Sequence, residues 1–285
     1  MRYPRSEVVH RLNRQVAGGH AIIAAGAGTG ISAKFVEAGG GDLVIVYNSG
    51  RFRMAGHSSM AGLLAFGDAN AIVYEMGTRE VLPAVREVPV IAGVNGTDPT
   101  RDMQRLLVDL SDAGFSGINN FPTIGLFDGN VRLDFEATGL GFDKEVEMIR
   151  LAHSLDLFTI VYVFNPVEAR DMAAAGADVV IAHMGVTVGG STGVSRGQAA
   201  DLSTIPDRVD AIGKAAIKEN PEILLLCHGG PIATVPDAEY VLSNSSAVGF
   251  VGASSMERLP VEEAIAQTTR KFKEIPLLGP SSPRK

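Results

Sequence analysis

Two glycine-rich loops near the end of the chain have the composition of an anion-binding site. One loop spans residues 228–231, the other spans residues 252–255, and each follows an apolar run. Glycine-rich loops bring backbone N–H groups close to a ligand, and such loops commonly hold a phosphate or carboxylate at the rim of a barrel. The sequence therefore predicts a small anionic metabolite as ligand. The predicted anion-binding residues are His228, Gly229, Gly230, Gly252, Ala253 and Ser254.

A histidine and two carboxylates are candidates for proton transfer or metal binding beside that anion. His183 ends an apolar run, where a histidine is either a ligand contact or a buried core residue. Asp98 follows another run and, with Pro99 after it, also fits the N-cap of a helix. We predict that His183, together with Asp98 or Glu136, supplies acid–base or metal-binding chemistry.

Further polar residues and one glycine are predicted to complete the ligand site. Asn120 follows the fourth run, where an amide is easier to explain as a partner of a ligand or loop than as core. Arg51, Arg53 and Arg258 could each neutralise an anion, although a lone arginine is more often a solvated surface charge. The remaining predicted binding residues are Asn48 and Gly28.

The glycine-rich segment 26–30 resembles a dinucleotide-binding fingerprint without matching it. Ile31 stands where the third glycine would be, and no P-loop lysine follows. A tight turn with Thr29 or Ser32 capping the next helix explains the segment better. We therefore expect no nucleotide or flavin cofactor.

The positions of the lysines and carboxylates bear on the reaction. No lysine ends an apolar run, which disfavours a Schiff-base aldolase. An enolate would then need a metal ion or hydrogen-bond donors to stabilise it. Several carboxylates near the predicted rim could hold Mg²⁺, but no motif singles out a pair. They are Glu75, Asp98, Asp128, Asp134, Glu136 and Glu257.

Eight short apolar runs alternate with helical patterns along the chain. Continuous apolarity along a run means that both faces are buried, which is typical of parallel strands. The pattern predicts an α/β fold, a single (β/α)8 TIM barrel over residues 1–285, with a leading helix at 1–19 and an extended tail at 276–285. The runs lie at 21–24, 43–47, 88–92, 117–119, 158–163 and 179–182, and within 223–231 and 248–255.

Three of the segments that follow predicted strands are long. They span residues 48–57, 121–141 and 185–202. All three are expected on the rim where barrel active sites lie, so we predict that they act as lids or binding loops. The alternative is that they only decorate the rim.

Composition restricts the class of protein. The net charge of −7 and the scattered basic residues argue against a nucleic-acid surface. No apolar run approaches the ~20 residues that span a bilayer, and the arginine-bearing start lacks the apolar stretch of a secretory signal. The single cysteine, Cys227, fits a reducing compartment. We expect a cytoplasmic homo-oligomer with no membrane or nucleic-acid partner.

Seven motifs in this order resemble the phosphoenolpyruvate hydrolase-like TIM-barrel family over residues 5–275. That family also supplies the C-terminal domain of a plant protein that confers tobamovirus resistance. The motifs are Tyr47-Asn48-Ser49-Gly50-Arg51-Phe52-Arg53, Gly67-Asp68-Ala69-Asn70, Ala92-Gly93-Val94-Asn95-Gly96-Thr97-Asp98-Pro99, Asn120-Phe121-Pro122-Thr123, Ala182-His183-Met184-Gly185, Cys227-His228-Gly229-Gly230-Pro231 and Gly252-Ala253-Ser254-Ser255-Met256-Glu257-Arg258.

The resemblance implies a place in the phosphoenolpyruvate mutase and isocitrate lyase superfamily. Members of that superfamily bind Mg²⁺ and an α-oxo acid or its enolate, so Mg²⁺ is the implied cofactor. Phosphonopyruvate hydrolase, in the same group, cleaves a P–C bond to give pyruvate and phosphate. The sequence lacks the superfamily's aspartate-rich Mg²⁺ motif and its gating loop with lysine and cysteine.

Three functions are consistent with these observations. The first is a hydrolase or lyase that cleaves a C–P or C–O bond in a small phosphorylated or phosphonylated acid, such as phosphonopyruvate or phosphoenolpyruvate. The second is a barrel that binds a metabolite without turnover, as a sensor or signalling module, which the missing motifs favour. The third is a phosphosugar isomerase or lyase, which would keep the phosphate site and change the substrate.

Overall fold

The computed structural model describes residues 2–277 and contains a closed barrel of eight parallel strands. Each strand pairs with the next along the chain, and β8 pairs with β1 to close the barrel. The predicted TIM-barrel fold is therefore confirmed. The strands are β1 (Ile22–Gly26), β2 (Leu43–Val46), β3 (Val90–Gly93), β4 (Gly117–Asn119), β5 (Phe158–Val163), β6 (Val179–His183), β7 (Leu224–His228) and β8 (Gly249–Gly252).

Eleven α-helices accompany the strands within the described residues. Most of them pack outside the barrel, where they cover a second apolar core formed by the outward-facing strand residues. Of the predicted tail, residues 278–285 lie outside the described residues. The helices are α1 (Arg5–Ala17), α2 (Gly30–Ala38), α3 (Asn48–Met54), α4 (Ala69–Met76), α5 (Met103–Ala113), α6 (Gly129–Ala137), α7 (Phe142–Ser154), α8 (Pro166–Ala174), α9 (Ile205–Glu219), α10 (Val235–Ser243) and α11 (Arg258–Lys273). Within residues 2–277, no helix has the length and apolarity needed to cross a membrane.

Alternation along the strands separates the two cores. Successive strand residues point to opposite faces, so every second residue faces the barrel interior. In β2 and its continuation these are Leu43, Ile45 and Tyr47, whereas Val44 and Val46 belong to the outer core. The same rule places the last inward-facing side chain of each strand at the carboxyl end of the barrel, where TIM-barrel active sites lie.

Helix α1 covers the opposite, amino-terminal end of the barrel. Its buried residues Val8 and Leu12 join the interior core, and Arg5 forms an ion pair with Asp178 at 2.8 Å. The predicted leading helix is thus present. It closes one end of the barrel with apolar side chains.

The glycine-rich segment 26–30 forms a turn that caps a helix. The Thr29 side chain accepts a hydrogen bond from the Ser32 backbone N–H at the start of α2, as predicted. A side chain at Gly28 would lie 2.3 Å from the Gly50 carbonyl oxygen, so two loops approach each other here at backbone distance.

Replacing Thr29 with alanine is expected to lower the free energy of unfolding by about 1 kcal/mol, because the first turn of α2 loses its side-chain cap. Chemical denaturation measures the change. Thr29→Ser keeps the hydroxyl and is expected to restore most of the loss; an equal loss in both variants would contradict the capping role.

The three predicted lid segments differ in structure. Most of segment 48–57 is helix α3, so the expectation of a loop there is wrong; residues 48–50 and 53 are buried against the rim. Segment 121–141 contains a short 3₁₀ helix and α6. Segment 185–202 is largely irregular, and hydrogen bonds from Arg258 to the Gly189 carbonyl and from Ser191 to Glu262 attach it to α11.

Asp98 does not cap a helix, and that reading of the sequence is wrong. Its carboxylate accepts hydrogen bonds from the backbone and side chain of Thr100, which closes a turn before the helix. Asp102, four residues later, accepts from the Arg105 backbone N–H and is the N-cap of α5.

Candidate active site

A cavity of about 500 Å³, counted with its open mouth, lies at the carboxyl end of the barrel. The ends of β2, β4, β5, β6, β7 and β8 all contribute to its wall. Apolar atoms make up most of the exposed lining, although polar side chains contribute to it, and this combination is typical of small-molecule sites. The polar and ionisable lining side chains are Tyr47, Ser49, Arg53, Ser59, Tyr162, Thr187, His183, His228 and Ser254.

Four aromatic or imidazole side chains form the floor of this cavity. The hydroxyls of Tyr47 and Tyr162 share a hydrogen bond of 2.6 Å. The Tyr162 ring lies 5.0 Å from the His183 ring and 5.1 Å from the His228 ring, centroid to centroid. The two imidazole centroids are 4.7 Å apart. Each of the four is the last inward-facing residue of its strand, so the barrel geometry itself brings them together.

The Nδ1 atoms of the two histidines form hydrogen bonds of opposite direction with the backbone. His228 Nδ1 lies 2.7 Å from the Val251 carbonyl oxygen, which can only accept a hydrogen bond. Nδ1 of His228 therefore carries the proton. His183 Nδ1 lies 3.0 Å from the Gly185 backbone N–H, which can only donate. Nδ1 of His183 is therefore the unprotonated nitrogen.

Burial keeps both imidazoles neutral. His183 is 6% exposed and His228 is 7% exposed. Loss of hydration lowers the pKa of His228 to about 4, and the nearby Arg53 charge acts in the same direction. Burial, followed by the neighbouring His228, lowers the pKa of His183 well below its ordinary value. At neutral pH the cavity therefore contains two uncharged imidazoles.

A buried ion pair forms one wall of the cavity. The side chains of Arg53 and Glu257 are 1% and 2% exposed, and their closest nitrogen and oxygen atoms are 2.6 Å apart. Glu257 also accepts a hydrogen bond of 2.7 Å from the Gly28 backbone N–H. Both carboxylate oxygens are thus engaged, and the Arg53 charge is balanced within the protein.

Five of the predicted site residues line the cavity together. Two of them end the neighbouring strands β6 and β7, two belong to the loop after β8, which pairs with β7, and one lies on α3. The five residues are Arg53, His183, His228, Ala253 and Ser254.

The predicted glycines shape the loops around the cavity. Gly229 and Gly230 have positive φ angles of 74° and 58°, and the Gly230 N–H donates to the Gly185 carbonyl at 2.7 Å. That N–H is committed to the neighbouring loop. Gly252 packs against Met256, and Gly28 is joined to Glu257 as described. These glycines permit close approach between loops.

Other predicted residues form contacts within the protein, away from this cavity. The Asn48 amide donates to the Gly62 carbonyl and accepts from the Ser49 N–H. Asn120 bonds to Glu145 and to the Tyr162 backbone. Glu136 pairs with Arg132 on one exposed turn of α6.

Arg51 and Arg258, which were predicted to bind the anion, are likewise paired within the protein. Arg51 is half-exposed and lies beside Glu75 and Glu80, at 3.1 and 3.5 Å. Arg258 is buried, and it bonds to Glu262 and to the Gly189 carbonyl. Arg258 therefore holds segment 185–202.

Asp98 lines a second, more open groove next to the main cavity. Its carboxylate bonds to Thr100, Asn70 and Arg101. These hydrogen bonds keep the pKa of Asp98 below its ordinary value although partial burial acts in the opposite direction. The structure does not bring Asp98 together with His183.

Sequence reasoning missed Tyr47, Tyr162 and Glu145. The tyrosines could have been found by counting every second residue along the apolar runs, since both continue the inward-facing series. Glu145 gives no such signal in the sequence. It lies on α7, and only the tertiary fold brings its side chain to the loop after β4. It is fully buried and accepts from the Ile124 N–H and the Asn120 amide; burial raises its pKa to about 8 against these hydrogen bonds.

The residues around the cavity do not fit Mg²⁺. This ion prefers several oxygen ligands, usually with carboxylates. Within residues 2–277, Glu257 is the only carboxylate that forms a hydrogen bond or ion pair with a side chain of the lining, and Arg53 and Gly28 occupy both of its oxygens. Among the described residues, no group of three or more histidine, cysteine, aspartate or glutamate side chains is arranged to hold a metal ion.

Solved structures share this fold at low sequence identity. Phosphonopyruvate hydrolase in complex with oxalate and Mg²⁺ matches with a TM-score of 0.58 and 17% identity, over 95% of this chain and 92% of that one. Phosphoenolpyruvate phosphomutase from Streptomyces platensis subsp. rosaceus matches with a TM-score of 0.60 and 15% identity, over 93% of this chain and 87% of that one.

A curated relative is much closer in sequence. The ToMV susceptible protein tm-1(GCR26) of Solanum lycopersicum is 55% identical over 272 residues, which are 95% of this chain and 36% of that protein. The chain therefore spans about a third of the length of this relative. The profile of the phosphoenolpyruvate hydrolase-like family matches residues 7–275. The chain belongs to the phosphoenolpyruvate hydrolase-like family.

Proposed function

We propose that this chain is a hydrolase or lyase that acts on a small carboxylic acid bound in the cavity at the carboxyl end of the barrel. The observation that carries the proposal is the buried guanidinium of Arg53 in the same cavity wall as two neutral imidazoles. A guanidinium that is kept dry and oriented recognises a carboxylate, and a neutral imidazole can accept a proton at one ring nitrogen and donate a hydrogen bond from the other.

Arg53 has one nitrogen free for a ligand. Its Nε and one Nη bond to Glu257 and to the Gly26 carbonyl. Within the described residues the other Nη, Nη1, has no hydrogen-bond partner. Ser254, whose side chain lines the same cavity, is a further candidate donor to the substrate. Glu257 balances the charge of Arg53, so the ion pair is neutral before a ligand binds. The pair together with a bound carboxylate carries one net negative charge.

Phosphonopyruvate and phosphoenolpyruvate are the proposed substrates. The family name and the fold shared with phosphonopyruvate hydrolase support this choice. The rim loops that contain Ala253 and Ser254 would lie beside the phosphoryl group, and Arg53 would hold the carboxylate. Hydrolysis would release phosphate and pyruvate from either compound.

Purified protein incubated with each compound, with and without Mg²⁺, tests this function through phosphate and pyruvate release. We expect release that the double variant Arg53→Met with Glu257→Leu, which leaves no buried charge unpaired, lowers by about 100-fold, since loss of a charged contact to a desolvated anion costs about 3 kcal/mol. Arg51→Met, which removes a half-exposed arginine outside the cavity, is the matched control and is expected to retain activity. No release from either compound under any metal condition would overturn the hydrolase proposal.

A second candidate is a barrel that binds an acid metabolite without converting it. The lack of an Mg²⁺-type oxygen cluster among the described residues favours it, as does a curated relative named for virus susceptibility. Calorimetry with oxalate as the probe separates the two. Binding of oxalate that depends on Arg53, with no turnover of any acid, would support the binding function.

A further inference from the structure

The cavity presents two histidine nitrogens of opposite character. Both imidazoles bond to backbone through Nδ1, so Nε2 is the nitrogen left for a ligand in each ring. Both rings line the same cavity, 4.7 Å apart between centroids. The backbone group that contacts Nδ1 fixes the tautomer of each ring. It therefore decides whether Nε2 of that ring donates or accepts a hydrogen bond.

His228 presents a lone pair. Its Nδ1–H donates to the Val251 carbonyl, so the neutral ring carries no proton on Nε2. This arrangement, in which a backbone acceptor fixes the tautomer, is how proteins prepare an imidazole to accept a proton. Nε2 of His228 is therefore a base.

His183 presents a proton. Its Nδ1 accepts from the Gly185 N–H, so the neutral ring carries its proton on Nε2. A neutral imidazole N–H can stabilise an oxygen that gains negative charge, and it does so without adding a charge of its own. Nε2–H of His183 is therefore a hydrogen-bond donor.

We propose that His228 and His183 together enolise an α-oxo acid in this cavity without a divalent cation. The inference rests on the proposed function, because it assumes that the cavity binds a small acid. In this inference His228 is the base and His183 is the hydrogen-bond donor to the enolate, a role that the superfamily resemblance gives to Mg²⁺. The described side chains around the cavity offer no oxygen cluster for that ion.

The proton transfer proceeds in two balanced steps. His228 Nε2 takes a proton from the carbon next to the carbonyl, and the C–H electron pair becomes the C=C bond. The carbonyl π pair moves onto oxygen, where His183 Nε2–H donates a hydrogen bond to the enolate. The His228 imidazolium, stabilised by that enolate, exchanges its proton with solvent and returns one to the carbon.

The first test reads the tautomers directly and needs no substrate. Protein labelled with ¹⁵N-histidine gives two-bond ¹H–¹⁵N correlations that distinguish protonated Nδ1 from protonated Nε2. Among the signals of the six histidines, we expect an Nδ1–H ring that is lost in His228→Gln and an Nε2–H ring that is lost in His183→Gln. The same tautomer in both rings would overturn the proposal. Mn²⁺ added as a paramagnetic probe should leave both signals sharp, and selective broadening of either would also overturn it.

The second test measures proton exchange. Pyruvate in D₂O with EDTA, followed by ¹H NMR, reports deuterium entering the methyl group. We expect exchange above the protein-free rate. His228→Gln should lower it by at least about 100-fold, because an amide cannot take up the proton. His183→Gln should lose only about tenfold, because an amide N–H still donates to the enolate oxygen.

The outcomes separate this inference from the proposed function. Exchange without phosphate release from phosphonopyruvate would remove the hydrolase proposal and keep the histidine pair. Phosphate release without exchange, or equal losses in the two glutamine variants, would overturn the pair alone. If either glutamine variant fails to fold, as judged by thermal unfolding, the asparagine variant of the same histidine assigns its ring, and the tautomer pattern decides.

Discussion

Replacing Glu257 with alanine is expected to lower the free energy of unfolding by about 3–5 kcal/mol, because it leaves the Arg53 charge buried without a partner. The two side chains are almost wholly inaccessible to water, so no hydration replaces the lost carboxylate. The Gly28 N–H would lose its acceptor as well. Urea denaturation at neutral pH measures the change.

Two further variants make the result specific. Glu147→Ala removes an acid from the exposed Lys144 pair and should change the free energy by no more than about 0.5 kcal/mol. The double variant Arg53→Met with Glu257→Leu removes both charges and should recover most of the loss. If Glu257→Ala were as mild as Glu147→Ala, the pair would contribute little to the stability of the barrel rim.

Acidification is expected to destabilise the protein through His228 by about 3 kcal/mol between pH 7 and pH 4. In the unfolded chain a histidine takes up its proton near pH 6.5. In the folded chain burial lowers the pKa of His228 to about 4. The unfolded state therefore binds more protons than the folded state across this range. The free energy of unfolding accordingly decreases as the pH falls. His183, with its pKa shifted in the same direction, adds to the effect.

The contribution of His228 is isolated by comparing the pH dependence of unfolding in two variants. His228→Asn can keep a donor to the Val251 carbonyl but cannot take up a proton, so its stability should fall less between pH 7 and pH 4. His20→Asn replaces an exposed histidine and should match the unaltered protein. Equal slopes in all three would show that His228 does not titrate with a lowered pKa. The charged and titratable groups around this ring, Arg53, His183 and Tyr162, are the same in all three proteins.

The barrel could be predicted from sequence because its signals are local. Unbroken apolar runs mark the strands, and glycines just past the helices mark their ends; Gly114, for example, has a φ of 114° after α5. Strand alternation likewise places Cys227 in the outer core, away from His228, where burial raises the pKa of its thiol to about 12. Such features depend on neighbours within a few residues.

The candidate site was harder to predict because its contacts are distant in sequence. Arg53 and Glu257 are separated by 204 positions, and nothing near either residue shows that they pair. Arg51 and Arg53 are the same residue type two positions apart, yet Arg51 is half-exposed and Arg53 is buried at the cavity. Helix phase decides which of them faces inward, and the segment containing both was predicted to be a loop. The tautomer of His228 depends on the Val251 carbonyl of the neighbouring strand β8, 23 positions away, whereas that of His183 depends on the Gly185 N–H two positions along the chain.

The closure of the barrel by α1 restricts how small molecules enter and leave the cavity. Val8 and Leu12 fill the amino-terminal end, so in the described residues the cavity opens only at the rim. Under the proposed function, substrate enters and product leaves through the same mouth. A second molecule can enter only after the first has departed, so any product formed here should act as a competitive inhibitor, and its escape can limit the turnover rate.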